Sequence, residues 1–268
     1  MSALPAKKRL DVALVDLGLA PSRERARALI LAAQVLVDGH VVSKAGAPIA
    51  DDARVELAAP DHPYASRGGV KLAHALDVFR VDPRGRRALD VGASTGGFTD
   101  VLLQRGAESV IALDVGRGQL DWKLRNDPRV VVREGVNARA LTAGDVPHAV
   151  TLVTIDVAFI SLRLIFPALV AILDEQRAER TDGVSAAQRR GADPPGVDIV
   201  ALVKPQFEAG REEVGRRGLV TDPAVHDAVI ARVTEAAAAS GLARRGMTPS
   251  PIAGATGNQE FFLHLRYD

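Results

Sequence analysis

Two hydrophobic rhythms divide the chain. In residues 9–17 the apolar positions Leu10, Val12, Ala13 and Leu17 recur at helical spacing, and Gly18 ends the pattern. Ser22 is placed to cap a second helix with Ala26, Leu29, Ile30 and Ala33 on its apolar face. Two β-branched runs, 35–37 and 40–42, flank Asp38-Gly39, the pair that a two-residue type I′ hairpin turn favours. Two helices and a small sheet bury little surface, so this first unit, 7–60, is marginal by size. Pro60-Asp61-His62-Pro63 reads as a linker, and 61–85 as that linker plus a helix preceding the next strand.

From about residue 86 the rhythm changes. Continuous apolar runs at 88–92, 110–115, 130–133, 152–157 and 199–203 read as buried strands, with helical stretches such as 98–105 and 162–173 between them. Strands buried on both faces and alternating with helices predict a parallel, doubly wound α/β sheet over 86–268. A further helix is expected at 223–240, stopped by Gly241. A terminal strand is expected at 260–267, antiparallel in an otherwise mostly parallel sheet, with 247–252 as its partner. Residues 174–198 are rich in charged residues, Gly and Pro, and read as a mobile surface insertion.

Composition narrows the classes. Of 268 residues, 47% are hydrophobic, enough for a sizeable core. No apolar run reaches the roughly 18 residues of a membrane span, so no membrane partner is expected. Lys7, Lys8 and Arg9 are not followed by the apolar stretch of a signal peptide. The chain has no cysteine, which excludes disulfides, thiolate metal ligands and a cysteine nucleophile; no metal site is expected, and the cytoplasm fits. A net charge of +1 means that nucleic-acid contact must come from local patches. Arg23 and Arg27 lie one helical turn apart, and Lys7, Lys8, Arg9 and Arg25 add charge nearby; Arg67 joins this RNA-contacting set. Ordinary solvated arginines would look the same. With aromatics at 4%, base stacking is not expected to be the main binding mode.

The chemistry clusters at predicted strand ends. Asp90-Val91-Gly92-Ala93-Ser94-Thr95-Gly96-Gly97-Phe98 joins the first sheet strand to its helix, where a Gly-rich turn lets backbone approach a ligand. Ser94 stands where a dinucleotide fingerprint has its middle glycine, which argues against NAD or FAD and leaves S-adenosylmethionine allowed. Asp114 ends the second strand at the position that accepts ribose hydroxyls, and Asn137 completes the cofactor set. A packing turn and a solvated strand end are the plain alternatives. Asp156 and Lys204 end the fourth and fifth strands, Glu260 starts the last, and Lys71 sits in the helix before the first. A lysine at such an edge can stabilise a forming alkoxide or accept its proton, with carboxylates to orient it. Singly, Lys204 could be an exposed lysine and Asp156 a helix cap.

Several segments resemble the TlyA family, sometimes labelled hemolysin A, of ribosomal RNA ribose methyltransferases. They are Ser66-Arg67-Gly68-Gly69-Val70-Lys71-Leu72, Ala93-Ser94-Thr95-Gly96-Gly97-Phe98-Thr99, Val203-Lys204-Pro205-Gln206-Phe207-Glu208 and Gly257-Asn258-Gln259-Glu260-Phe261. Asp156-Val157-Ala158-Phe159-Ile160-Ser161 also matches, with Ala158 where the family has serine. The resemblance spans nearly the whole chain. It implies a Rossmann-like methyltransferase fold, a small N-terminal S4 RNA-binding domain and S-adenosylmethionine as cofactor. It also implies an FtsJ-like Lys-Asp-Lys-Glu tetrad at Lys71, Asp156, Lys204 and Glu260, with ribosomal RNA cytidine in the ribosomal subunits as substrate. An RNA-binding assembly factor without catalysis, or a membrane-lytic protein, would be the competing functions.

Overall fold

The computed structural model describes residues 7–58, 62–182 and 196–268. The chain divides into two compact units, Met1–Pro63 and Tyr64–Asp268. Of the expected linker, only His62 and Pro63 lie within the described residues.

The first unit begins with strand β1 (Lys7–Arg9), helix α1 (Leu10–Asp16) and helix α2 (Arg23–Leu31). Strands β2 (Val35–Val37), β3 (His40–Val41), β4 (Pro48–Ala50) and β5 (Val55–Leu57) follow. Strand β1 pairs with β4, and β2 lies between β3 and β5, all antiparallel. The Ser22 hydroxyl accepts the Arg25 amide, capping α2 as its position predicts. Asp38 and Gly39 both have positive φ, +51° and +79°, as a type I′ turn demands. The core is Leu10, Ala13, Leu14, Ala26, Leu29, Ile30, Val35 and Ile49. Two expected apolar-face residues are elsewhere. Leu17 follows the last turn of α1 and is exposed, its inward place taken by Leu14; Ala33 lies beyond α2 with φ +56°, exposed.

The second unit runs through helix α3 (Gly68–Phe79), β6 (Arg87–Val91), α4 (Gly97–Gln104), β7 (Ser109–Asp114), α5 (Trp122–Arg125), β8 (Val130–Glu134) and β9 (Leu152–Ile155). It continues with α6 (Phe166–Asp182), β10 (Val197–Val203), α7 (Pro205–Glu208), α8 (Pro223–Ala239), β11 (Ala243–Pro249) and β12 (Phe261–Tyr267). These strands form one seven-stranded sheet in the order β11-β12-β10-β9-β6-β7-β8. The pairs from β10 to β8 are parallel, and β12 runs antiparallel to both neighbours. Order reverses beside β6, which places the crevice at the carboxyl ends of β6, β7 and β9. Helices α3 and α4 bury Leu72, Leu76, Phe98 and Leu102 against one face; Phe166, Leu169, Val229 and Val233 cover the other.

The expected surface insertion at 174–198 requires correction at both ends. Helix α6 continues to Asp182, and β10 begins at Val197. The helix persists because Gln176 takes the inward position after Ile172 and Leu173: its amide oxygen accepts the Val150 amide (3.1 Å) and its nitrogen donates to the His148 carbonyl (3.3 Å). The rest of that expectation falls on 183–195, outside the described residues. Among the described residues, no helix is long and apolar enough to cross a membrane.

Candidate active site

Strand β6 delivers the chain into the Gly-rich turn. Gly92 has φ +86°, and a Cβ there would lie 2.2 Å from the Asp156 carbonyl oxygen. Only glycine lets this turn and the end of β9 touch. At Gly97, a Cβ would lie 2.2 Å from the Ser66 hydroxyl, so the Ser66-Arg67-Gly68-Gly69 segment closes over the start of α4. Beneath the turn, Asp90 is fully buried and accepts the hydroxyls of Thr99 (2.7 Å) and Thr154 (2.9 Å). Burial pushes its carboxyl up to about 7, against the pull of those two hydrogen bonds.

The turn opens on a cleft of about 1250 Å³ walled by Gly92, Ser94, Asp114, Asn137, Asp156 and Lys204. Ser94, with φ +48°, points its amide at Asp114 Oδ2 (2.8 Å), while Asp114 Oδ1 accepts the Gly116 amide (2.7 Å). Each oxygen keeps a further acceptor position, so the carboxylate is fixed in place yet still able to receive hydroxyls. Asn137 holds the Arg139 amide through its side-chain oxygen (3.0 Å). Ala93, Gly96, Gly97 and Phe98 are buried behind the wall; Phe98 packs against Phe262. They shape the turn from inside and do not face the cleft.

The four candidate catalytic residues form two ion pairs. Lys204 Nζ lies 2.6 Å from Asp156 Oδ1, on the cleft wall. Lys71 Nζ donates to Glu260 Oε2 at 2.6 Å, a more enclosed pair whose side chains are 11% and 3% exposed. The sheet explains the convergence. Ala201 sits beside Ile155 and Val203 opposite Phe261, so Asp156, Lys204 and Glu260 all leave the sheet at the same edge. Helix α3 brings Lys71 to them.

Sequence reasoning missed several cleft residues. Phe159, φ +63°, stands 89% exposed on the rim, its ring 5.0 Å from that of Phe207. Gln119, Arg139 and Arg211 also line the cleft. A low aromatic percentage says nothing of one ring placed at the mouth.

In the N-terminal unit, the candidate RNA contacts are more organised than a solvated face. Arg9, Arg23 and Arg27 all donate to the carboxylate of buried Asp11, at 3.0–3.1 Å, while their side chains remain about half exposed. Lys8 pairs with Asp16, and Arg25 donates to the His62 carbonyl (3.1 Å). Lys7 is exposed, as is Arg67 in the second unit, just before α3.

A switch-point crevice with a Gly-rich turn, a strand-end acid and Ser94 in place of the dinucleotide fingerprint's middle glycine is the arrangement of an S-adenosylmethionine-dependent methyltransferase. Comparisons make the class specific. Residues 64–267 match the FtsJ-like methyltransferase family and residues 8–55 the S4 domain. The chain is 45% identical over 262 residues to YqxC of Bacillus subtilis, covering 97% of this chain and 86% of that protein. It is 43% identical over 261 residues to the 16S/23S rRNA (cytidine-2′-O)-methyltransferase TlyA of Mycobacterium tuberculosis, covering 97% and 90%. A solved structure from Streptococcus thermophilus, named for hemolysin, superposes with a TM-score of 0.71 at 42% identity, over 99% of this chain and 90% of that one. The chain belongs to the FtsJ-like methyltransferases and, within them, to the TlyA family. It is an enzyme, and its cofactor is S-adenosylmethionine.

Proposed function

We propose that this protein methylates the 2′-hydroxyl of a cytidine in ribosomal RNA, in the cytoplasm, with Lys71, Asp156, Lys204 and Glu260 as its catalytic groups. The observation that carries the reading is the Lys204–Asp156 pair, 2.6 Å apart on the wall of the same cleft as Asp114 and Gly92. The name of the Mycobacterium tuberculosis relative supports the substrate. Bound S-adenosylmethionine supplies a methyl group on a positively charged sulfur. Asp114, Gly92, Ser94 and Asn137 would hold it, and the turn at 93–98 keeps their spacing. An unassisted ribose hydroxyl is a poor nucleophile at neutral pH. Lys204 would stabilise negative charge on that oxygen and relay the hydroxyl's proton to solvent as the O–CH₃ bond forms and the S–CH₃ bond breaks, with S-adenosylhomocysteine as the leaving group, while Asp156 orients the lysine. The Lys71–Glu260 pair supplies a second, more enclosed charge couple.

The N-terminal unit brings the RNA. Asp11 neutralises one of the three converging guanidinium charges, leaving a compact cationic site for backbone phosphates, and Lys7, Lys8, Arg25 and Arg67 extend the set. At the cleft, Phe159 offers a ring face to an unstacked base. The test is single-turnover transfer of a labelled methyl group to ribosomal subunits from cells lacking the gene, with the product mapped by mass. A ribose-methylated cytidine is expected. A base-methylated product, or none on any ribosomal RNA, would overturn the reading.

A further inference from the structure

Past the last paired residues, Ala201 and Ile155, the sheet no longer holds β9 and β10 together. Each strand first releases its charged residue, Asp156 or Lys204, and then enters a loop. The loop after Asp156 contains Phe159 in the left-handed region, a conformation that costs a non-glycine residue about 1–3 kcal/mol and persists only where neighbours impose it. The chain after Lys204 turns at once into the single helical turn α7.

One side chain joins the two. Glu208, the last residue of α7, accepts the Ser161 hydroxyl at Oε2 (2.6 Å) and the Leu162 amide at Oε1 (2.7 Å). Its side chain is 2% exposed, and the nearest guanidinium, on Arg163, lies 3.7 Å away. A carboxylate this enclosed is costly unless its oxygens are satisfied. Burial pushes the Glu208 carboxyl above its usual range, with Ser161 and Leu162 pulling it down. An apolar residue would fill the space without that cost but could not tie one loop to the other. The Phe159–Phe207 ring contact lies within the same bracket.

We propose that Glu208 is a positioning residue for methyl transfer: by fastening the loop after Asp156 to the turn after Lys204, it sets the contact between those two side chains. This rests on the reading of that pair as catalytic. Misplacement of reacting groups by about 1 Å can cost roughly 10²-fold in rate, so a clasp between Ser161 on the cleft wall and Glu208 behind it can govern the chemistry.

The experiment is a rate cycle in the full-length protein, measured as single-turnover methyl transfer to ribosomal subunits with both ligands saturating. Glu208→Ala should slow transfer by about 10- to 100-fold while the affinities for S-adenosylmethionine and RNA stay unchanged. Glu208→Gln should recover most of the rate, because its amide oxygen can accept from Leu162 and its nitrogen can donate to the Ser161 hydroxyl. In an Asp156→Asn background, Glu208→Ala should add little, since the contact it sets is already broken. Ser161→Ala, which keeps the Leu162 half of the clasp, gives the same test should Glu208→Ala fail to fold, with a smaller loss expected. An unchanged rate in both Glu208→Ala and Ser161→Ala would overturn the proposal. So would an equal fractional loss with and without Asp156. A fully active Asp156→Asn enzyme would instead remove the catalytic reading of the pair, and this inference with it.

Discussion

Strand β10 has a charged residue close to each end, Asp198 within it and Lys204 just after it, and the two ends are built differently. At the start, Asp198 accepts from Arg86 (2.8 Å), Arg266 (3.0 Å) and His264 (2.8 Å). Burial alone would raise its carboxyl, but hydrogen bonds from His264 and Arg86 and the charge of Arg266 outweigh it and hold the group well below the usual carboxylate range. At the finish, Lys204 meets Asp156 at 2.6 Å and faces the cleft. An ammonium has three donors. The first end is held by three neighbours and serves the fold. The second keeps capacity in reserve at an open wall, as a group must if it is to engage charge that appears only during reaction.

That contrast can be broken by exchange. Lys204→Ala should slow single-turnover methyl transfer by about 10²- to 10⁴-fold, with the melting temperature and cofactor affinity unchanged. Lys204→Arg should not restore it, because the guanidinium cannot give up a proton and its planar fork needs more room. Full rescue by arginine would mean that Lys204 supplies charge alone. At the other end, Asp198→Ala strands Arg86 and Arg266 against one another. It should cost about 3 kcal/mol in denaturant unfolding while the folded fraction turns over at the normal rate. Normal stability with impaired transfer would reverse the assignment of the two ends.

Asp114 sharpens the comparison, since it is anchored like Asp198 yet exposed to the cleft like Lys204. Asp114→Ala should weaken S-adenosylmethionine binding by about 1.5–3 kcal/mol for each charged hydrogen bond lost, read by calorimetry, with RNA affinity intact. Unchanged cofactor affinity would show that its backbone contacts are its whole role. Asp90 carries a pH-dependent effect. Its folded carboxyl, raised to about 7, binds a proton that the unfolded chain releases near the ordinary value of 3.8. Between those values the native state holds more protons, so this contribution to stability is present below about pH 4 and is lost as pH rises through about 7. The slope is at most about 1.4 kcal/mol per pH unit. Asp90→Asn, which can still bond Thr99 and Thr154, should flatten stability across that window; an unaltered pH profile of unfolding would count against the raised carboxyl.

Much of this was legible in the chain because strand ends announce themselves. A charged residue directly after a continuous apolar run, as with Asp156 after Ile155 and Lys204 after Val203, must sit where a buried strand reaches water. Parallel strands then bring such residues to one edge. What stayed hidden depends on partners distant in sequence. Nothing in the local pattern tells that Arg9, Arg23 and Arg27 share Asp11, since each alone reads as a solvated arginine. Glu208 gives no sign of being buried until the loop carrying Ser161 is folded over it. Helix α6 was cut short by its composition because its exposed side is charged, and the inward Gln176 interrupts the apolar rhythm that marks a helix. Phe159 is a phenylalanine in an apolar context, and nothing in that context tells that it stands exposed in the left-handed region.

The contact between Gly92 and the Asp156 carbonyl has a mechanical consequence. The wall assigned to the methyl donor and the strand end assigned to the acceptor are spaced by backbone against backbone. Side chains change rotamer in picoseconds to nanoseconds, whereas two strands of one sheet separate only by opening part of the core. The separation of the two sites therefore acts as a stiff gauge, set once on folding and nearly deaf to thermal noise. Thickening that gauge by one methyl group would push donor and acceptor apart without touching any group that takes part in the chemistry.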